Sequence, residues 1–396
     1  MIRSKDPNIK TSIFAVMSKT AKEYNAVNLS QGFPDFGVSE DLISLVNKYM
    51  KAGFNQYAPM PGVPVLREKI AEKIQKLYNY KYNPETEITV TAGGTQALHS
   101  TISTIIHEGD EAIIFEPAYD SYAPVVRLNG GRPVYVRLKY PDYAVDWDAV
   151  NQMINSKTRL IIINSPQNPS GKVFSEEDML NLIRIVSGTK ILILSDEVYE
   201  HIIFDGKTHN SIAKYPELAE RSILVFSFGK VYHATGWKLG YFIAPEKITE
   251  EIRKIHQFTV FAANTPIQYA IAEYLNREDE YLKLPEFYQK KRDFFNAMLR
   301  DIGFDVIPAG GTYFQTVNFS NLTDETDFQL AERLIKKFGV AAIPMSSFYH
   351  NEENTKTLRF CFAKKDEVLE QAAEKLGNFY IQAKKQLDLF KKPENH

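Results

Sequence analysis

The sequence predicts an α/β protein, with a large domain holding a mostly parallel seven-stranded sheet flanked by helices and a smaller α+β domain. Three observations carry this expectation. Seven short β-branched runs, at residues 88–91, 111–115, 133–137, 159–163, 190–194, 222–226 and 239–244, each end in a polar or Gly-rich turn. Helical patterns separate many of them, as over 95–107 and over 175–186, where Ser175 with Asp178 resembles a capping box. Beyond about residue 290 the alternation gives way to a long charged helix, a strand-and-turn segment and an amphipathic helix ending near Leu387.

The 396 residues are enough for one large or two medium hydrophobic cores. No internal repeat or flexible linker is visible, so a second domain must be joined by short connections or built from both chain ends. The division expected is a large domain over 47–290 and a small one from 1–46 with 291–396.

Charge and composition exclude several function classes. Forty-seven Lys and Arg against 49 Asp and Glu give a formal net charge of −2, which supplies no basic field for nucleic acid or an anionic membrane. The single cysteine, Cys361, rules out an intrachain disulfide and any cysteine-rich metal site, and it suits a reducing cytoplasm. Residues 1–15 lack the apolar core of a secretory signal, and no run approaches the ~18 apolar residues of a membrane span. The eight histidines show no HxH or HxxxH spacing, so no metal is expected. Small-molecule chemistry in the cytoplasm is the expectation that remains.

In open α/β sheets ligands collect at the carboxyl ends of strands, so the residues just past each strand are the informative ones. After 88–91 comes Ala92-Gly93-Gly94-Thr95-Gln96 and then a helix, which offers free N–H groups and a positive dipole end to an anion. Taken alone it reads equally as a plain Gly-rich turn, since neither GxGxxG nor GxxxxGK[ST] is present. After 159–163 the turn Asn164-Ser165-Pro166-Gln167-Asn168-Pro169-Ser170-Gly171 points an amide outward. After 190–194, Ser195-Asp196-Glu197-Val198-Tyr199 places a carboxylate at the strand end and a phenol three residues on; a helix-capping Asp and a packing Tyr explain the same pattern. After 222–226, Ser227-Phe228-Gly229-Lys230 puts an amine directly behind an apolar strand, with Lys238 eight residues further. A solvated lysine is the plain alternative, but desolvation and nearby cations can free such an amine for Schiff-base chemistry.

Together these strand ends supply what pyridoxal 5′-phosphate requires. Lys230 would hold the aldehyde, and Asp196 would keep the pyridine nitrogen protonated so that the ring accepts electrons. Asn168 and Tyr199 would donate to the phenolate oxygen. Lys238 and Ser227 would join the Gly94, Thr95 and Gln96 amides around the phosphate, with Gly93 also at the cofactor site, and Tyr119, in Glu116-Pro117-Ala118-Tyr119-Asp120, would stack on the ring.

At this point the chain resembles the fold-type I, class I/II pyridoxal-phosphate-dependent aminotransferases along almost its whole length. The resemblance rests on Asn168-Pro169-Ser170-Gly171, Asp196-Glu197-Val198-Tyr199, and the SxxK stretch from Ser227 to Lys230 continuing through Ala234-Thr235-Gly236-Trp237-Lys238-Leu239-Gly240, in that order and spacing. Gln31-Gly32-Phe33-Pro34-Asp35-Phe36 and Ile343-Pro344-Met345-Ser346-Ser347-Phe348-Tyr349 look most like the methionine, glutamine–phenylpyruvate and kynurenine aminotransferase branch. Many family members carry Arg where this chain has Lys238, but that branch has Lys there too.

The resemblance implies further roles. Tyr57 would reach the phosphate of a neighbouring subunit, which implies a homodimer with shared active sites. Arg359, in Leu358-Arg359-Phe360-Cys361-Phe362, falls where the family binds the substrate carboxylate, a task suited to a bidentate guanidinium; read without the resemblance, a structural ion pair is the plainer role. Gly32 and Asn168 would also line the substrate site, with Phe14, Tyr57 and Phe348 as its apolar wall. Glu197 reads as a fold-supporting ion-pair partner.

The activity implied is ping-pong transfer of an amino group from an L-amino acid of methionine, glutamine or aromatic type to a 2-oxo acid. Lys230, Asp196 and Tyr199 would be its catalytic residues. Two alternatives stay open at this stage: a pyridoxal-phosphate cysteine-conjugate β-lyase on the same scaffold, and a non-catalytic aminotransferase-like ligand sensor. The sensor is disfavoured because residues 1–30 are too short for a DNA-binding module and no basic patch accompanies them.

Overall fold

In the computed structural model, which describes residues 2–7 and 9–390, all seven expected strands pair in one sheet. They are β1 (Ile88–Thr91), β2 (Glu111–Glu116), β3 (Arg132–Arg137), β4 (Thr158–Asn164), β5 (Leu192–Asp196), β6 (Ser222–Ser227) and β7 (Gly240–Ile243), in the order β1-β7-β6-β5-β4-β2-β3. Only β7 runs antiparallel to its neighbours β1 and β6. The central strands are buried on both faces, as a sheet covered by helices on each side requires. Their side chains alternate between two cores: Ile161, Ile163, Ile193, Leu224 and Phe226 enter one, while Leu160, Ile162, Leu194, Ile223 and Val225 enter the other. The helix α1 (Gly94–Ile105) covers the second core with Ala97, Leu98 and Ile102.

The capping box expected at Ser175 is formed. The Ser175 hydroxyl accepts from the Asp178 N–H at 3.1 Å, and the Asp178 carboxylate accepts from the Ser175 N–H at 2.8 Å, opening the helix α2 (Glu176–Val186).

The C-terminal part builds a four-stranded antiparallel sheet from β8 (Asp305–Ile307), β9 (Phe314–Asn318), β10 (Ile343–Pro344) and β11 (Thr357–Cys361), in the order β10-β11-β9-β8. A chain-start segment meets this part of the chain in a separate two-stranded sheet, where Val27–Asn28 pairs in parallel with Val340–Ala341. The long charged helix is α3 (Leu284–Asp301), and the closing amphipathic helix is α4 (Asp366–Phe390). The expected domain boundaries at 46/47 and 290/291 fall inside helices, namely Glu40–Lys51 and α3. The sequence reads Lys391-Lys392 as part of a solvated tail, and that pair lies outside the described residues. Among the described residues no helix is long and apolar enough to cross a membrane.

Candidate active site

One cavity at the carboxyl ends of β1, β4, β5 and β6 gathers Gly93, Gly94, Thr95, Tyr119, Asn168, Asp196, Tyr199, Ser227, Lys230 and Lys238. These ten residues come from six sequence segments, and the parallel strands bring them to one edge.

At the anion end, Gly93 caps α1 with φ +80°, a left-handed conformation that glycine adopts without strain. A Cβ on Gly93 would stand 3.4 Å from Lys238 Nζ, so the lysine crosses directly over the cradle. Lys238 itself has φ +53°, an uncommon conformation for a side chain of its size that aims it there. The Gln96 side chain does not reach this end. Its Oε1 accepts from the Ala92 N–H at 3.1 Å, and its Nε2 lies on Ser100 and His256, so Gln96 offers the cradle its backbone only.

At the opposite end Asp196 is buried. Oδ2 accepts from the Tyr122 hydroxyl at 2.6 Å, and Oδ1 accepts from the Val198 N–H at 3.3 Å. A turn and no helix follows this strand, so the Val198 contact closes an Asx-type turn instead of capping a helix, and a phenol takes the other oxygen. Burial pushes the Asp196 carboxyl up to about 6, and the Tyr122 hydrogen bond only partly opposes it, so this carboxylate gains by meeting a cation in the cavity. The turn that carries it is anchored from behind. Glu197 takes His209 Nε2 at 2.7 Å and the Ser195 hydroxyl at 2.8 Å, while Glu200 accepts from Tyr78 at 2.6 Å and pairs with Lys73.

Between the two ends stands Lys230, on the short helix Phe228–Val231 that begins as β6 stops. Its Nζ donates to the Tyr313 hydroxyl at 2.9 Å and lies 3.4 Å from the Gly32 carbonyl. Burial pushes the Lys230 amine down to about 8, although Cys361 and Asp196 act in the other direction, so a usable fraction is neutral near physiological pH. A Cβ on Gly32 would meet Phe314 Cζ at 2.5 Å, which explains a glycine at this close approach.

Arg359 sits on β11 between β9 and β10 and is completely buried. Nη1 donates to Asn168 Oδ1 at 2.6 Å and Nη2 to the Ser30 carbonyl at 2.9 Å, while Nε is buried with no hydrogen-bond partner among the described residues. Its guanidinium faces the rings of Phe314 at 3.8 Å, and of Phe14 and Phe348 at 5.1 Å each. An ion pair with another side chain, the plainer reading of this arginine, does not occur among the described residues. Burial pushes the guanidinium down to about 10, the response of a cation that lacks a compensating anion.

Tyr57 stands apart from this constellation. It is 86% exposed, touches the Phe261 ring at 5.6 Å edge to face, and lines no wall of the cavity within its own chain. Four contributors escaped the sequence reading: Tyr122 on Asp196, Tyr313 on Lys230, and the Ser30 carbonyl and the Phe314 ring on Arg359.

An amine, a buried carboxylate, an amide and a cation-topped glycine cradle around one cavity fit the chemistry of pyridoxal phosphate. The carboxylate would face the ring cation, and the cradle would take the phosphate dianion. Comparison with known proteins agrees. The chain matches the family model for aminotransferase class I and II over residues 24–376. It is 45% identical over 375 residues to the methionine aminotransferase of Escherichia coli strain K12, covering 94% of this chain and 97% of that protein. To the mouse kynurenine–oxoglutarate transaminase 1 it is 32% identical over 393 residues, covering 90% and 92%. A solved Escherichia coli structure, for which structure and reactivity identified a methionine aminotransferase function, superposes with a TM-score of 0.93 at 44% identity, over 96% of this chain and 99% of that one.

The chain therefore belongs to the class I and II aminotransferases. It is an amino-acid aminotransferase with pyridoxal phosphate as cofactor and amino acids and 2-oxo acids as substrates, and the elimination and sensor alternatives are not favoured.

Proposed function

We propose that this enzyme transfers the amino group of methionine and of similarly apolar, aromatic or glutamine-type donors to a 2-oxo acid, with Lys230, Asp196 and Tyr199 as catalytic residues. The observation that carries the reading is Arg359: a buried guanidinium with an unpartnered Nε, ringed by Phe14, Phe314 and Phe348. A planar carboxylate satisfies such a fork, and the aromatic rings beside it favour an apolar side chain. The methionine and kynurenine transaminases among its relatives point to the same substrate types.

When bound, pyridoxal phosphate supplies a carbonyl carbon for the amino group and a protonated ring that accepts the electron pair left at the substrate's Cα. The residues divide the remaining work. Gly94, Thr95 and Gln96, through their backbone N–H groups, would hold the phosphate with Ser227 and Lys238, beside Gly93, whose own N–H donates to the Thr91 carbonyl at 2.8 Å. Asp196 would hold the ring proton, Asn168 and Tyr199 would orient the ring by hydrogen bonds, and Tyr119, on the same cavity wall, would pack against it. Lys230 Nζ would take the substrate's Cα proton and deliver it to the cofactor carbon that receives the amino group, a general acid–base contribution of ~10²–10⁴ in rate. Arg359, Gly32 and Asn168 orient the substrate, while Phe14 and Phe348 exclude water from its side chain.

We further assign a homodimer in which Tyr57 serves the partner's phosphate site. Its support is the exposed apolar surface at Tyr57, Phe261 and Phe258, the last 88% exposed. Sedimentation of the wild type beside Tyr57→Phe, with cofactor affinity measured on both, tests this arrangement. The buried free thiol of Cys361 suits a cytoplasmic location. A panel of amino donors assayed against one oxo acid tests the substrate assignment. Methionine and aromatic donors are expected to exceed aspartate and glutamate, and a preference for dicarboxylic donors would overturn it.

A further inference from the structure

We propose that Tyr313 is the positioning residue for Lys230, a fixed hydrogen-bond acceptor that holds the lysine amine in place and keeps its lone pair free for the substrate proton. The inference rests on the reading of Lys230 as the carrier of the Cα proton. Three distances support it. The Tyr313 hydroxyl donates to the Gly32 carbonyl at 2.7 Å, which commits its only hydrogen. Its oxygen therefore faces Lys230 Nζ, 2.9 Å away, as an acceptor, and the Gly32 carbonyl accepts a second, longer contact from the same amine at 3.4 Å. A neutral amine has two N–H bonds and one lone pair. With both N–H bonds accepted, the lone pair is the part left over to take a proton.

The backbone fixes Tyr313 firmly. The residue before it, Thr312, is β-branched yet held at φ +65°, a strained conformation that persists only where its surroundings enforce it. The Thr312 N–H donates to the Ile202 carbonyl at 2.9 Å, and the Tyr313 carbonyl accepts from the Phe362 N–H at 3.0 Å. The Tyr313 ring is fully buried and stands edge to face against Tyr199 at 5.2 Å, so one side chain links two of the assigned catalytic residues.

The groups around the amine set the sign of the effect on Lys230. Asp196 on β5 and Cys361 on β11 favour its charged form, whereas Arg359 on β11 and Lys238 oppose it. Tyr199 and Tyr288 are the other titratable groups against Tyr313, and burial keeps the Tyr313 phenol well above its ordinary value, hence neutral. A neutral oxygen that accepts from Nζ favours the ammonium form, so its removal must lower the lysine's titration point.

Tyr313→Phe keeps the ring and removes only that oxygen. In cofactor-free protein, the pH dependence of reductive methylation at Lys230, read by mass spectrometry, is expected to move down by about 0.5–1 pH unit. In the loaded enzyme, exchange of the amino acid's α-deuteron is expected to fall ~10-fold or more with KM almost unchanged, because Arg359 is untouched. A variant that loses thermal stability but keeps the wild-type titration point and exchange rate would show Tyr313 to be packing only and overturn the proposal. Borohydride reduction separates this from failure of the parent reading. Cofactor fixed to Lys230 in both proteins leaves Lys230 assigned while Tyr313 is judged, whereas cofactor fixed elsewhere removes Lys230 itself.

Discussion

Arg359 and Asn168 are joined side chain to side chain, with Nη1 donating to Oδ1 at 2.6 Å inside the protein. A guanidinium only donates, so the atom of Asn168 that meets it must be the oxygen, and the amide's N–H groups turn the other way. The Asn168 N–H of the backbone is in turn held by Asn164 Oδ1 at 2.8 Å, which locks the turn. The residue assigned to the substrate carboxylate therefore sets the orientation of the one assigned to the cofactor.

Asn168→Asp tests this coupling. The new carboxylate would pair with Arg359 and neutralise a buried, otherwise unpaired cation, so the melting temperature is expected to hold or rise. The substrate clamp would then be occupied, and KM for amino acids is expected to increase ~10- to 100-fold. An unchanged KM would show that Arg359 does not hold the substrate through this face.

Lys230→Ala is expected to leave a folded protein whose turnover drops by at least ~10²–10⁴, the share assigned to proton transfer. Borohydride should attach cofactor to the wild type and not to the variant. Near-normal turnover in the variant would remove both roles given to Lys230.

The sequence made the sheet legible because parallel strands buried on both faces leave continuous β-branched runs, and each of the seven lies within two residues of its observed bounds. The strand-end motifs were legible for a related reason, since Asp196 and Lys230 stand next to the strands that aim them. Contacts formed across the fold were not. Tyr313 is 83 positions from Lys230, and Tyr122 is 74 from Asp196. Nothing periodic marks a phenol that meets its partner only after the sheet has closed. Gln96 shows the converse, because its place in a good motif did not reveal that Ser100 and His256 would claim its amide.

Asp196→Asn is expected to act in opposite directions on stability and on catalysis. The folded-state pKa of Asp196 is raised by burial from 3.8 to about 6, so between those values the cofactor-free fold binds the extra proton and loses stability as pH rises. Above pH 6 the ionised carboxylate costs the cofactor-free protein about 3 kcal/mol, and that cost vanishes below about pH 4. The asparagine variant lacks the penalty and should unfold at a higher temperature than wild type at pH 7.5, with the gap closing toward pH 4. Loaded with cofactor, the same variant should lose most of its α-proton exchange. Melting curves of both cofactor-free proteins across this pH range decide the first half, and parallel curves with no pH-dependent gap would show that Asp196 is not a strained buried acid.

Arg359→Lys discriminates most sharply, because it keeps the charge and replaces a planar two-pronged donor by a point charge. If Arg359 clamps the substrate carboxylate, the loss falls on amino and oxo acids and spares simple amines that lack the group. A bidentate charge-assisted pair in this desolvated setting contributes ~2–4 kcal/mol, or roughly 30- to 1000-fold in the specificity constant. Lysine also forfeits the Nη contacts to Asn168 and Ser30 and the face-on packing with Phe314, so a modest drop in melting temperature accompanies the change. The two effects separate by substrate. Amino-acid and amine half-reactions run on one preparation show selective loss if the clamp is real, and equal losses for both would make Arg359 a structural cation and remove it from the site.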